Sequence, residues 1–437
     1  MKFTFKLLVL GAAFLFLSDD LQAQVRFSSG AKYNSGFAPQ SVAVGDLNGD
    51  GKTDFACANT LGNSISIFTN GGRGNFALSS TNAVNAPTSI TIADINKDGK
   101  LDLVCANEGL GTLTVLTNKG TGIFVSALSV NVGNPGNHPQ AVVAADVNND
   151  GRFDLISADY YNGPGNTLSI LTNDGAGGFV LACLTAGDPY SVVTADVNKD
   201  GYLDLISAGG ARVTVLTNNH AAVFIKSFSF SFSNGPQKVA TADVNGDGSV
   251  DLITANTTGD TISVLTNNGK GNFSVSSSLS LLGGPDSLAV GDVNGDGTVD
   301  LVVGNVYGSV YKDTGVTVLT NDGSGEFVIA TKILVEGPSS EAIADLNCDG
   351  KPDILVAAEA ANQSAVLFQV PQLNFIGQSQ NLILSWPASW SNWTLLETSG
   401  LSVTNWIPTS GILSDGTNNS LMVEKTNSAA FFRLIRN

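Results

Sequence analysis

The chain has 437 residues, 38 of them acidic and 21 basic, and carries a net charge of −17. No basic patch interrupts that acidity, which excludes nucleic acid and anionic membrane surfaces as partners. Four cysteines in a chain this long are too sparse for a disulfide framework, so free thiols are expected.

Residues 1–23 read as a secretory signal peptide. Lys2 and Lys6 make a basic start, Leu7 to Leu17 is an apolar run, and Leu21-Gln22-Ala23 offers a cleavage site before Gln24. The run is too short to span a bilayer, and no later segment resembles a membrane span. The mature chain is expected to be secreted, extracellular or periplasmic, where it meets calcium.

Residues 24–370 are built from one recurring unit. Its most regular part is a nine-residue loop, Asp-x-Asn-x-Asp-Gly-x-x-Asp, repeated seven times at intervals of 47 to 53 residues. The second unit illustrates the rest. Ile90 to Ala93 reads as a short strand, and the loop runs from Asp94 to Asp102. Further strands follow at Leu103 to Ala106, Thr112 to Leu116 and Val125 to Val130, with turn residues between them. Four short strands per unit predict an antiparallel meander, and a repeat of about 50 residues predicts a circular array of such meanders.

The register holds along the chain. A proline stands seven residues before each first loop Asp, from Pro39 and Pro87 to Pro338. A Thr-Asn pair closes the third strand at Asn70, Asn118, Asn173, Asn218, Asn267 and Asn321. A phenylalanine opens the fourth at Phe76, Phe124, Phe179, Phe224, Phe273 and Phe327, where a core role between units is expected. The seventh unit has only three strands. Arg26 to Ser29 matches the missing fourth, so an N-terminal strand is expected to complete the last blade and leave no open sheet edge.

The loops point to a hard, oxygen-seeking cation, most simply Ca²⁺, with up to seven bound. The candidate ligands are Asp46, Asn48, Asp50 and Asp54 in the first loop, then Asp94, Asn96, Asp98 and Asp102 in the second. The third offers Asp146, Asn148, Asp150 and Asp154, and the fourth Asp196, Asn198, Asp200 and Asp204. The fifth offers Asp243, Asn245, Asp247 and Asp251, and the sixth Asp292, Asn294, Asp296 and Asp300. The seventh offers Asp345, Asn347, Asp349 and Asp353. A backbone carbonyl at position 7, that of Lys52 in the first loop, completes each set, and a glycine at position 6 permits the bend. Three carboxylates per loop account for 21 of the 38 acidic residues, so most of the negative charge belongs to the metal chemistry. Without a cation each like-charge pair at about 4 Å would cost up to about 4 kcal/mol, so empty loops are expected to lose this geometry. An EF-hand needs a glutamate at position 12; here Cys57, Cys105, Ser157, Ser207, Thr254, Val303 and Val356 stand there, in β-like runs, which excludes the helix-loop-helix reading.

These loops, the Gly-x-Gly-x-Phe turns such as Gly120 to Phe124, and the seven-fold count resemble FG-GAP (VCBS-type) repeats. Such repeats form the seven-bladed propeller of integrin α chains and of some fungal lectins. The resemblance covers about four-fifths of the chain and implies an all-β, seven-bladed β-propeller of four-stranded blades that binds calcium. It implies little about activity. The chain departs from the pattern at His220-Ala221-Ala222-Val223-Phe224, which lacks the turn glycines, and at Cys348 inside the last loop.

Residues 371–437 lack the loop motif and hold all four tryptophans, Trp386, Trp390, Trp393 and Trp406. Strands are expected at Asn381 to Trp386, Trp393 to Glu397, Leu421 to Lys425 and Phe431 to Ile435. The segment is expected to be a small β module for attachment or an accessory role, with the tryptophans forming its core.

The loops and Gly-x-Gly-x-Phe turns should share one face of a propeller, leaving the opposite face for recognition. Tyr160, Tyr161, Tyr190, Tyr307 and Tyr311 map to that opposite face, as do the longest connections, 159–166 and 305–314. Exposed aromatics beside Asn, Asp and Gly suit carbohydrate stacking or contact with a cell-surface protein. The expected role is a monomeric binding or adhesion module. The alternative is a secreted lyase or hydrolase acting on polysaccharide, for which non-loop acids such as Glu108, Asp159 and Glu359 would have to form a catalytic carboxylate pair.

Overall fold

The computed structural model describes residues 25–436 apart from 29, 134–135, 137, 161–165, 186–187, 221, 234, 282, 307–313, 372, 379–380, 389, 399–405 and 425–430. The expected signal peptide lies outside the described residues. The chain forms two compact units, one spanning Ser29–Phe368 and the other combining residues up to Ser28 with Gln369–Asn437.

The described residues of the larger unit form seven four-stranded antiparallel sheets, here called blades one to seven in the order of their loops. In blade one the strands are Pro39–Gly45, Asp54–Asn59, Ser64–Asn70 and Phe76–Ala83, ordered from inside to outside. The innermost strands of blades two to seven are Pro87–Ala93, His138–Ala145, Ser191–Ala195, Pro236–Ala242, Pro285–Gly291 and Pro338–Ala344. Each packs against the next, and the seventh packs against the first, which closes the ring. At that closure Ser339 Oγ donates to Pro39 O at 2.8 Å, and Asn362 Oδ1 accepts from Ala38 N at 2.8 Å.

Position within the blade sets sequence character. The second strand is covered on both sides, and in every blade all six of its first residues are buried, so it reads as a continuous apolar run such as Phe55-Ala56-Cys57-Ala58. In blades one and five the fourth strand is exposed along much of its length after its opening phenylalanine and reads as Ser- and Thr-rich. Proline suits the first residue of the inner strand, where it need not donate to the ladder.

The closing strand is shorter and later than the sequence match suggests. The fourth strand of blade seven is Ala31–Tyr33, paired with Gln363–Leu367. Arg26–Phe27 pairs instead with Gln369–Val370, in the smaller unit. The register nevertheless follows the other blades, since Phe27 lies opposite Gln369 as Phe76 lies opposite Asn70. Tyr33 fixes the closure. Its ring packs edge-on against Phe55, Phe68 and Phe76 of blade one, and its hydroxyl donates to Gly74 O at 2.9 Å.

Apolar clusters fill the seams between blades. One joins Leu47, Ala56, Ile65 and Ile67 of blade one to Ile90, Leu103 and Phe124 of blade two. Another joins Val42, Phe55 and Phe76 of blade one to Leu346, Leu355 and Phe368 of blade seven. The opening phenylalanines are thus core residues, as expected. Among the described residues Cys57 and Cys105 are buried free thiols, and Cys348 is exposed. In the smaller unit the strands Asn381–Pro387, Trp393–Thr398, Asn418–Glu424 and Phe431–Arg436 surround a core containing Trp386, Trp393, Leu395 and Leu434, with Trp390 packed against it.

Candidate functional site

Each loop joins the first and second strands of its blade, and its last residue opens the second strand. Asp54, Asp102, Asp154, Asp204, Asp251, Asp300 and Asp353 are all fully buried there. In loop one Asp54 Oδ2 accepts from Leu47 N at 3.0 Å and Oδ1 from Asn70 N at 2.7 Å, so the carboxylate ties the loop to the third strand. The other ligand positions are more open. Asp46 accepts from the backbone N–H groups of Gly49, Asp50 and Gly51, and Asn48 Oδ1 accepts from Asp50 N at 2.9 Å. These bonds hold the loop's bend and offset part of the repulsion among its acids, a contribution the charge argument alone omits.

The donor set suits a hard cation: each loop offers carboxylate, amide and carbonyl oxygens. The acids also sense one another. Burial raises the Asp54 carboxyl above its ordinary range, backbone N–H donors pull it back, and Asp50 and Asp46 push it up again. The same causes push Asp204 and Asp300 up to about 6. No group of three or more His, Cys, Asp or Glu side chains converges on one point among the described residues. Part of the reason is visible at position 5. Asp50, Asp98 and Asp150 each turn one oxygen to the cation two residues on, Lys52 at 2.7 Å, Lys100 at 3.3 Å and Arg152 at 2.9 Å.

The Thr-Asn pair does more than close the third strand. Asn118 Nδ2, at the end of the third strand of blade two, donates to Leu101 O in its own blade and to Leu47 O in the loop of blade one, both at 2.9 Å. The equivalent cross-blade bonds run from Asn173 to Ile95 O, Asn218 to Val147 O, Asn267 to Val197 O and Asn321 to Val244 O. Asn70 bonds Leu346 O at 2.9 Å and carries the chain of latches across the ring closure. In six loops, those of blades one to five and seven, the second carbonyl is thereby held by an asparagine of the following blade. The Gly-x-Gly-x-Phe turns sit on the same end, with Gly122 N donating to Leu47 O at 3.2 Å. The second turn glycine combines a positive φ with close packing: a Cβ on Gly74 would collide with Phe368. In blade four Ala222 takes this left-handed conformation at φ 54° and His220 at φ 74°.

At the opposite end the blades diverge. Tyr160 and Tyr190 come together as a stacked pair, ring centroids 4.3 Å apart and planes 28° apart. Burial and the neighbouring Tyr160 hydroxyl raise the Tyr190 phenol. Tyr161, Tyr307 and Tyr311 lie outside the described residues. Beside the stack, Asn166 donates to Asp188. The same end exposes apolar side chains that sequence reasoning did not single out: Phe37 at 57 %, Leu61 at 62 % and Leu110 at 63 %. Their place in variable turns, with no periodicity to mark them, left no signal.

Asp159 is fully buried and accepts from the hydroxyls of Ser157, Thr167 and Ser169. Burial pushes its carboxyl up to about 6 against the pull of those hydroxyls. Its oxygens are engaged by its own blade, which is a structural arrangement. Glu108 accepts from Gln140 at 3.3 Å.

The FG-GAP-like repeat model matches residues 46–105, 94–157, 196–254 and 243–303, a little over half of the chain. The chain belongs to the FG-GAP-like repeat family. No curated protein matches it in sequence. Among solved structures, this FG-GAP protein resembles BBS1N from its crystal complexes with ARL6DN. One, soaked with mercury, aligns at 13 % identity and TM-score 0.57; another, soaked with lead, at 12 % and 0.55. Each alignment covers 79 % of this chain and 97 % of the other. A protein from Lactobacillus plantarum aligns at 12 % identity and TM-score 0.50 over 93 % of this chain and 100 % of its own. These likenesses establish the all-β propeller fold. No helix among the described residues is long and apolar enough to cross a membrane.

Proposed function

We propose that this FG-GAP protein is a secreted, calcium-dependent binding module that takes carbohydrate on the end opposite its metal loops. The observation that carries the reading is the Tyr160–Tyr190 stack, a half-buried aromatic surface flanked by the Asn166–Asp188 pair. An aromatic face next to an amide and a carboxylate suits the apolar face and hydroxyl edge of a sugar ring. Divergence of the blades at this end supports the same reading, because recognition needs side chains that the scaffold does not repeat.

Calcium on this reading is structural. Positions 1, 3, 5 and 9 of each loop, with the carbonyl at position 7, would hold it, and its charge would relieve the repulsion among three carboxylates. Secretion rests on residues 1–23, and the unit after residue 370 is assigned to attachment. A glycan array probed with wild type, wild type plus EDTA, and the Tyr160→Ala/Tyr190→Ala variant tests the proposal. A sugar signal lost in the variant and weakened by EDTA is expected. An equal signal from the folded variant would place binding elsewhere.

A further inference from the structure

The residue three positions after the proline that precedes each loop packs its blade against the preceding one. It is Val42, Ile90, Val142, Val192, Val239 and Leu288 in blades one to six, all within apolar seams. In blade seven it is Glu341, only 9 % exposed. Two features of blade six accommodate it. Ser287 Oγ donates to Glu341 Oε1 at 2.9 Å. At the equivalent position in other seams, Ser41, Ser89 and Ser340 accept a backbone N–H from the following blade. Gly304 stands where the other blades have alanine, and a Cβ there would collide with both the Ser287 hydroxyl and Glu341 Oε1. Glu341 Oε2 has no hydrogen-bond partner among the described residues.

We propose that the seam between blades six and seven is a pH-responsive joint, closed while Glu341 carries its proton and forced apart when the carboxyl ionises. A carboxylate with one unpartnered oxygen in an otherwise apolar seam is costly, whereas the protonated acid has no charge to bury. Among the described residues few charges face it. Asp286 on the adjacent inner strand opposes ionisation, and Lys238, one blade further, favours it. The second strands of blades six and seven are charged only at their loop ends, Asp300 and Asp353, and the inner strand of blade one carries no charge. Burial is the largest influence and pushes the Glu341 carboxyl from 4.5 up to about 8. The folded chain therefore holds one proton more than the unfolded chain between those values. Stability falls as pH rises through that window and levels above it.

The test is denaturant unfolding of the full chain at constant calcium from pH 5 to 9, with Glu341→Val and Glu341→Gln beside wild type. The loop aspartates are common to all three and cancel in the differences. Relative to either variant, wild type is expected to lose about tenfold in its folding constant per pH unit up to about pH 8, and then no more. Adding Gly304→Ala to Glu341→Val, which rebuilds the pattern of the other seams, should raise stability over Glu341→Val alone. A difference between wild type and both variants that stays constant across the pH range would overturn the joint, whichever protein is the more stable.

Discussion

The two ends of each blade obey different rules. At the loop end one arrangement recurs seven times: a buried aspartate closes the loop, and an asparagine latch reaches the preceding blade in blades one to six. At the other end the blades diverge. The position held by Asn59, Asn107, Asn256 and Asn305 is Asp159 in blade three, Gly209 in blade four and Ala358 in blade seven. Repetition marks where neighbouring blades depend on the same bond, since a change there disturbs two blades. Variation marks where a side chain answers to its own blade, or to something outside the ring.

Removing metal should make the largest difference. A site with Kd near 10⁻⁴ M in millimolar calcium contributes roughly 1.4 kcal/mol, and seven independent sites roughly 10 kcal/mol. That is comparable to the whole stability of an ordinary domain. EDTA is expected to lower the melting temperature steeply, and added calcium to restore it. An unchanged melting curve would show that the loops stand on their own hydrogen bonds and that repetition there reflects latching alone.

Asp159 tests whether divergence at the rim costs stability. Its carboxyl is pushed from 3.8 to about 6 by burial, so the folded chain retains a proton that the unfolded chain releases between those values. Stability on this account falls as pH rises through that window, by up to about 3 kcal/mol, and is flat above it. Asp159→Asn should remove the slope. In blades two and five the equivalent Asn107 and Asn256 donate to the same pair of hydroxyl positions, so the replacement has a ready set of partners. Unfolding curves from pH 4 to 8 that keep a fixed offset between the two proteins would contradict it.

Asn118→Ala should cost about 2 kcal/mol, because it strips two buried carbonyls of a donor. The loss should be felt in blade one as well as blade two. Hydrogen exchange that speeds up in blade two only would mean that the latch does not couple blades.

The scaffold was legible because its signals are periodic. The Asp-x-Asn-x-Asp-Gly-x-x-Asp loops, the prolines and the opening phenylalanines fixed the strand order and the seams in advance. The asparagine latch was visible as a repeated letter but not as a bond, since its partner lies 71 residues away for Asn118 and in the preceding blade. The closing strand is Ala31–Tyr33 and not Arg26–Ser29: Phe27 is in register with the other opening phenylalanines, but the packing of Tyr33 on three phenylalanines of blade one holds the outer edge. Of the five tyrosines expected at the rim, the described residues bring together Tyr160 and Tyr190, from different blades and 30 positions apart. A stack of that kind has no local sequence signature. Phe37, Leu61 and Leu110 were missed for the same reason.

The smallest effect on stability should come from the tyrosine stack, although it is the one that bears most on function. Replacing both rings with alanine removes an aromatic contact worth about 1 kcal/mol and little core, because both side chains are only half-buried. The Asp-rich loops lie at the other end of the blades, so calcium-dependent melting should be unchanged in the variant. Binding should respond in the opposite sense, with sugar affinity lost while the calcium-dependent melting transition persists. That pairing separates the two ends experimentally, because EDTA would weaken both fold and binding, and the tyrosine variant binding alone. If the variant instead loses its calcium-dependent transition, the rim is part of the scaffold, and the division between a repeated structural end and a variable recognition end does not hold.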